Sequence, residues 1–96
     1  MDLKFDWDQW NIQKNEIKHG ISRLEAESLF FDPHLIIYKD ITYSSEKEQR
    51  LIMFARSHTE RILMAAFTIR SEKVRIISAR PASKKERALY EKEKNN

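Results

Sequence analysis

Three apolar runs crowd the second half of this chain: Gln49 to Arg56, Arg61 to Arg70 and Lys73 to Arg80, each rich in Ile, Leu, Met, Val or Phe. Only four polar residues, Ser57-His58-Thr59-Glu60, separate the first two, and only Ser71-Glu72 separates the second pair. Parallel strands need crossovers of a dozen or more residues, so spacing this short predicts antiparallel hairpins. Ahead of them, residues 34–38 (His-Leu-Ile-Ile-Tyr) suit a brief strand, residues 39–48 a polar loop, and residues 3–7 (Leu-Lys-Phe-Asp-Trp) alternate like a short strand. Asp8 is placed to cap a helix over Gln9 to Lys18. Gly20, the only glycine, stands where a helix end needs a left-handed residue. Ser22-Arg23-Leu24-Glu25 fits a capping box that opens a second helix through Phe30, closed by Asp32-Pro33 because a residue before proline avoids the helical region. Ser83-Lys84-Lys85-Glu86 is a second capping box, behind Pro81, opening a helix to about Lys94. The expected architecture is a single α+β domain over residues 1–96. It comprises a small antiparallel sheet with two N-terminal helices and a C-terminal helix packed on one side.

Composition removes whole classes of chemistry. Cysteine is absent, which eliminates disulfides, thiolate nucleophiles and sulfur-ligated metals. A single glycine cannot build a phosphate-cradling loop. His19, His34 and His58 fall in different elements without paired ligand spacing, so neither a metal site nor a cofactor is expected. The longest unbroken apolar run, Ile62 to Phe67, is six residues, against the roughly 20 needed to span a membrane. Met1-Asp2 and Lys4 lead into no apolar signal core, so a cytoplasmic protein without membrane contact is the expectation.

The remaining signal is arginine. Net charge is +3, but residues 1–69 balance to −2 and residues 70–96 to +5. Such a segment is the footprint of a phosphate-bearing partner, although a solvated helix face laced with ion pairs gives the same count. Arg50 and Arg56 share a strand face at even spacing, whereas Arg75 and Arg80, five apart in a regular strand, fall on opposite faces. These arginines either pair with Glu48, Glu60 or Glu72, or form a cationic surface whose planar forks bind phosphate oxygens. Arg80, Lys84, Lys85 and Arg87 also lie beside a helix N-terminus, whose free amides favour anions. His19 at a helix end fits a structural cation there and equally a general acid or base. Trp7 and Trp10 fit the core, with base stacking as the alternative.

Three N-terminal segments resemble the signature of the BrnT toxin family: Phe5-x-Trp7-Asp8, Asn15-x-x-Lys18-His19-Gly20-Ile21 and Glu25-Ala26. Phe30-Phe31-Asp32-Pro33, Ala55-Arg56-Ser57, Arg75-Ile76-Ile77-Ser78-Ala79-Arg80 and Glu86-Arg87-x-x-Tyr90-Glu91 continue it in the same order, over roughly residues 5–91. The resemblance implies a RelE-like fold and a metal-independent endoribonuclease that arrests translation and growth. It implies neutralisation by a BrnA-like antitoxin carrying a ribbon-helix-helix domain. It further implies an assembly of two toxins and two antitoxins that binds operator DNA through the antitoxin. The chain departs from the family at Asn11, commonly lysine, at Ala55, commonly glycine, and at Tyr43-Ser44, commonly His-Ser. Taken with the resemblance, Arg56, Arg75 and Arg80 are expected to stabilise phosphate charge, and His19 or Glu48 to act as base. Trp7, Lys18, Lys84, Lys85, Arg87 and Tyr90 are expected to hold RNA. A catalytically inactive antitoxin-binding or corepressor module, or a plain nucleic-acid-binding domain, is the alternative, and cleavage of RNA separates them.

Overall fold

The structure, a computed structural model, describes residues 3–7, 19–41 and 48–95. Helix α1 (Arg23–Ser28) runs through a 3-10 turn (Leu29–Phe31) toward strand β1 (Ile36–Lys39). Strands β2 (Leu51–Arg56), β3 (Ile62–Arg70) and β4 (Lys73–Pro81) follow, then helix α2 (Lys84–Lys94). The strands lie in the order β1-β2-β3-β4 and every neighbouring pair is antiparallel. The expected meander and the strand before it therefore form one sheet. Residues 3–7 contribute less than a strand. Phe5 makes a single parallel bridge to Val74, because only Asp6 N–H (to the Val74 carbonyl) and Val74 N–H (to the Lys4 carbonyl) find partners, both at 2.8 Å. The expected helix over Gln9 to Lys18 lies outside the described residues, as do Asn11, Tyr43 and Lys18. Among the described residues no helix is long and apolar enough to cross a membrane.

One face of the sheet carries the core. Met53, Ala55, Leu63, Ala65, Phe67, Val74, Ile76 and Ala79 pack there against Ile21, Ala26 and Leu29 of the helical layer. Phe30 meets Phe67 edge-on at 5.0 Å and Phe5 at 5.4 Å, extending that layer over the sheet. Gly20 is left-handed (φ 63°) as its position predicts, and nothing crowds a side chain there, so the demand comes from the backbone. The hairpin turns have no glycine at all. Ser71 and Glu72 (φ 50° and 65°) turn β3 into β4, and Glu60 (φ 67°) sits in the β2–β3 turn.

The two capping boxes come out differently. At α2 both halves form: Ser83 Oγ accepts from Glu86 N–H at 3.2 Å, and Glu86 Oε1 accepts from Ser83 N–H at 2.8 Å. At α1 Ser22 Oγ accepts from Glu25 N–H at 3.1 Å, but the Glu25 carboxylate does not reach back. It turns inward instead, to 4% exposure, and takes hydrogen bonds from Arg61 Nε (2.9 Å), Arg61 Nη2, Ser57 Oγ (2.7 Å) and Thr59 Oγ1. Arg61 Nη2 also donates to the Gly20 carbonyl at 3.1 Å. The network fastens the start of α1 to the β2–β3 turn. Arg61 donation, opposed by burial and reinforced by Thr59 and Ser57, holds the Glu25 carboxyl down at about 2.

Because the folded Glu25 pKa lies below its ordinary 4.5, its stabilisation is complete above that pH and drains as pH falls toward 2. Arg61→Met should cost about 2 kcal/mol at pH 7, moderated by the 41% exposure of the Arg61 side chain, and flatten the acid-side loss of stability in urea titrations. Ser71→Asn combined with Glu72→Gly should raise stability by about 1 kcal/mol, read as a higher urea midpoint, since asparagine and glycine occupy left-handed turn positions with less strain.

Candidate functional site

In a regular strand Arg75 and Arg80 would face apart, but β4 is irregular. Ala66 pairs with Ser78 whereas Phe67 pairs with Ile76, which leaves Ile77 as an extra residue. The expectation of opposite faces is thereby corrected. Arg75 is in register with Thr68 and Arg80 with Met64, two positions on one face of β3. Arg56 lies across from Ile62, and Arg70 ends β3, on that same face. Four arginines therefore share the sheet face opposite the Val74, Ile76 and Ala79 core.

Each guanidinium is held by a carboxylate. Arg80 forks onto Glu86, with Nη1–Oε1 at 2.7 Å and Nη2–Oε2 at 2.9 Å, and Nη1 also donates to the Pro81 carbonyl at 3.1 Å. Arg56 pairs with Glu91 at 3.2 Å, Arg75 with Asp6 at 3.3 Å and Arg70 with Glu48 at 2.6 Å. Of the three carboxylates expected as partners, Glu48 serves; Glu60 contributes only its carbonyl to Arg56, at 3.4 Å. Hydrogen bonding to Arg80, opposed by burial, holds Glu86 below the ordinary glutamate range, and the same contact raises Arg80. Glu86 and Glu91 are α2 residues, so α2 engages the arginine face while α1 covers the core face. The helices do not all pack on one side, because these ion pairs draw α2 across.

A single buried side chain anchors α2. Tyr90 has no solvent exposure, and its hydroxyl donates to Asp32 Oδ2 at 2.7 Å. The same Asp32 oxygen accepts the Arg56 N–H at 2.8 Å, and Oδ1 accepts the His34 N–H at 3.0 Å. Burial alone would raise Asp32, but the Arg56, Tyr90 and His34 donors outweigh it and hold the carboxyl below its ordinary value. Burial and the Asp32 contact push Tyr90 up to about 12, so the phenol stays protonated. The Arg56 guanidinium stands 6.0 Å from the Tyr90 ring centre, which ties strand, helix and turn together.

The other expected site residues scatter. Lys84, Lys85 and Arg87 are exposed on the first turn of α2, where Arg87 Nη1 donates to the Ala82 carbonyl at 3.2 Å. Trp7 packs against the core, with its indole donating to Glu27 Oε2 at 2.6 Å. His19 precedes Gly20 in the layer that Arg61 fastens over the core face, and is not brought to the sheet arginines. Sequence reasoning missed the arginine holders Asp6, Glu86 and Glu91. It also missed His58, which lines a cleft of about 400 Å³ with Asp32 and Arg56 among others. The capping-box spacing pointed to Glu86, and the family resemblance included Glu86 and Glu91, but neither marked them as arginine holders. Among the described residues no three histidine or carboxylate groups converge to hold a metal ion.

A face of fixed guanidinium groups can orient a phosphodiester and stabilise negative charge developing on it. A family model described as "Ribonuclease toxin, BrnT, of type II toxin-antitoxin system" matches residues 7–86. The crystal structure of the Brucella abortus ribonuclease toxin BrnT is similar in fold, with a TM-score of 0.62 and 22% identity over 86% of this chain and 100% of that one. None of the curated proteins matches the chain.

The Tyr90 anchor has a measurable weight. Tyr90→Phe leaves a partly buried Asp32 oxygen short of one donor and should lower stability by about 1–2 kcal/mol, read as a shift in the urea midpoint.

Proposed function

The chain belongs to the BrnT family of ribonuclease toxins of type II toxin-antitoxin systems, and from that premise we propose that it cuts RNA without a metal. In this reading the 2′-hydroxyl attacks the adjacent phosphorus, the bond to the 5′-oxygen breaks, and a 2′,3′-cyclic phosphate and a 5′-hydroxyl result. A base takes the 2′ proton, an acid protonates the leaving oxygen, and cations offset the phosphorane charge. The observation that carries the reading is the placement of Arg56, Arg75 and Arg80 on one sheet face. These three arginines supply the cations. Glu48, paired with Arg70 at one end of β3 on that face, is one base for this reading; His19 is the other. Lys84, Lys85 and Arg87, at the start of α2, extend the cationic surface along the RNA. The four-stranded antiparallel sheet flanked by helices supports a RelE-like assignment. Translation and growth stop while the toxin is free. A BrnA-like ribbon-helix-helix antitoxin neutralises it in a complex of two toxins and two antitoxins that binds operator DNA.

One observation favours a second reading. Every arginine of the face is already matched to a carboxylate. Such a face suits a module that binds its antitoxin, or acts as corepressor, and cuts nothing.

Incubating the purified chain with RNA in EDTA separates the two readings. Cleavage should proceed, and Arg80→Ala and Arg75→Ala should each slow it about 100-fold, the scale of losing one charge-stabilising contact. Glu48→Gln should abolish the acid limb of the pH–rate profile if Glu48 is the base, and His19→Ala should do so if His19 is. RNA left intact by the parent chain rejects the first reading.

A further inference from the structure

Leu24 and Phe31 are large apolar side chains left 68% and 69% exposed. Leu24 projects from α1 and Phe31 from the 3-10 turn that continues it. Seven residues of helical rise separate them by about 10 Å. With Glu27, Ser28 and His58 they line a groove of about 330 Å³ between α1 and the β2–β3 turn. Through Ser28, Phe31 and His58 the groove continues into the cleft that holds Arg56 and Asp32.

Paired apolar side chains beside a concave wall are the anatomy of a protein-binding hot spot. The charges around them decide which macromolecule fits. Glu27, Asp32 and Glu60 line the groove and its continuation with one permanent cation, Arg56; Arg56 pairs with Glu91, Glu27 accepts from the Trp7 indole and Asp32 from Tyr90, Arg56 and His34, so Glu60 is the exposed carboxylate at the rim. A polyanion meets more carboxylate than cation here, so the groove does not extend the phosphate-binding face. A polypeptide with apolar side chains and a basic flank matches both the wall and the rim.

We infer that this groove is where the antitoxin docks, through an amphipathic helix whose apolar side chains at i and i+7 cover Leu24 and Phe31 while a basic side chain reaches Glu60. The helix-in-groove mode uses this spacing. The inference rests on the family's antitoxin partner and not on the RNA chemistry proposed for the sheet face. It places the antitoxin at the end of the sheet beside Arg56, so that docking in the groove brings the partner directly to the arginine face.

The test titrates the purified chain with the purified antitoxin encoded beside it, by calorimetry, for the parent and for Leu24→Asp with Phe31→Asp. The double variant should bind on the order of 100-fold more weakly, with an unchanged melting curve and unchanged KM for a synthetic oligoribonucleotide. Leu24→Gln with Phe31→Gln, which adds no charge, should show the same loss, and Glu60→Lys a smaller one. Parent-like antitoxin affinity in both double variants overturns the inference. A raised KM for the oligoribonucleotide with antitoxin binding intact also overturns it, and gives the groove to RNA. Should the parent leave RNA intact yet lose antitoxin affinity with these substitutions, the cleavage reading fails and the docking site stands.

Discussion

The Glu25 carboxylate takes four hydrogen bonds from Ser57, Thr59 and Arg61, and the layering of the molecule depends on that contact. A buried carboxylate without partners would cost several kcal/mol, so the hairpin turn must present its donors in one arrangement for the helix to sit down. The turn is prepared for it. Ser57 N–H donates to the Arg61 carbonyl and Glu60 N–H to the Ser57 carbonyl, both at 2.8 Å, with Glu60 in the left-handed region. In a chain with no cysteine and one glycine, neither a disulfide nor a permissive backbone sets this geometry. A charged network does, and it seats Leu29 and Ala26 on the core face.

The strands were legible because their signal is local. Apolar runs and short polar turns lie within a few residues of each other, and the observed bounds of β2, β3 and β4 fall within two residues of those read from sequence. The two Ser-x-x-Glu segments show where local reading ends. Ser22 and Ser83 offer the same spacing, yet only Glu86 completes its box. The difference lies 36 residues away, where Arg61 outbids the Ser22 N–H for Glu25. The carboxylates on the arginine face were hidden for the same reason: Arg56 and Glu91 stand 35 residues apart, Arg75 and Asp6 69. These pairings are properties of the closed sheet and docked helix, and no short sequence window contains both partners; Arg80 and Glu86, six residues apart, are the exception.

The face itself depends on one residue. Period-two alternation assigns Arg75 and Arg80 to opposite sides, and that inference is sound for an unbroken ladder. Ile77 breaks it, and everything in β4 beyond the bulge exchanges faces relative to the regular count. Ala79 thereby joins the core and Arg80 joins Arg75. Had the ladder run unbroken, Arg80 would have pointed to the core face of the sheet, away from Glu86. The cationic face and the apolar core are thus products of the same irregularity.

Glu86 shows how closely that face is bound to the helix beside it. Its Oε1 accepts from both Arg80 Nη1 and Ser83 N–H, so one oxygen serves the ion pair and the helix cap. A phosphate that drew the Arg80 fork away would leave the cap intact but remove the charge that Glu86 was matched to; a Glu86 that followed Arg80 would uncap α2. Glu91, on the same helix, holds Arg56 in a parallel arrangement. Access to two of the three arginines therefore runs through α2, whose only buried side chain is Tyr90. The Tyr90–Asp32 contact, which anchors that helix, accordingly helps keep those cations matched.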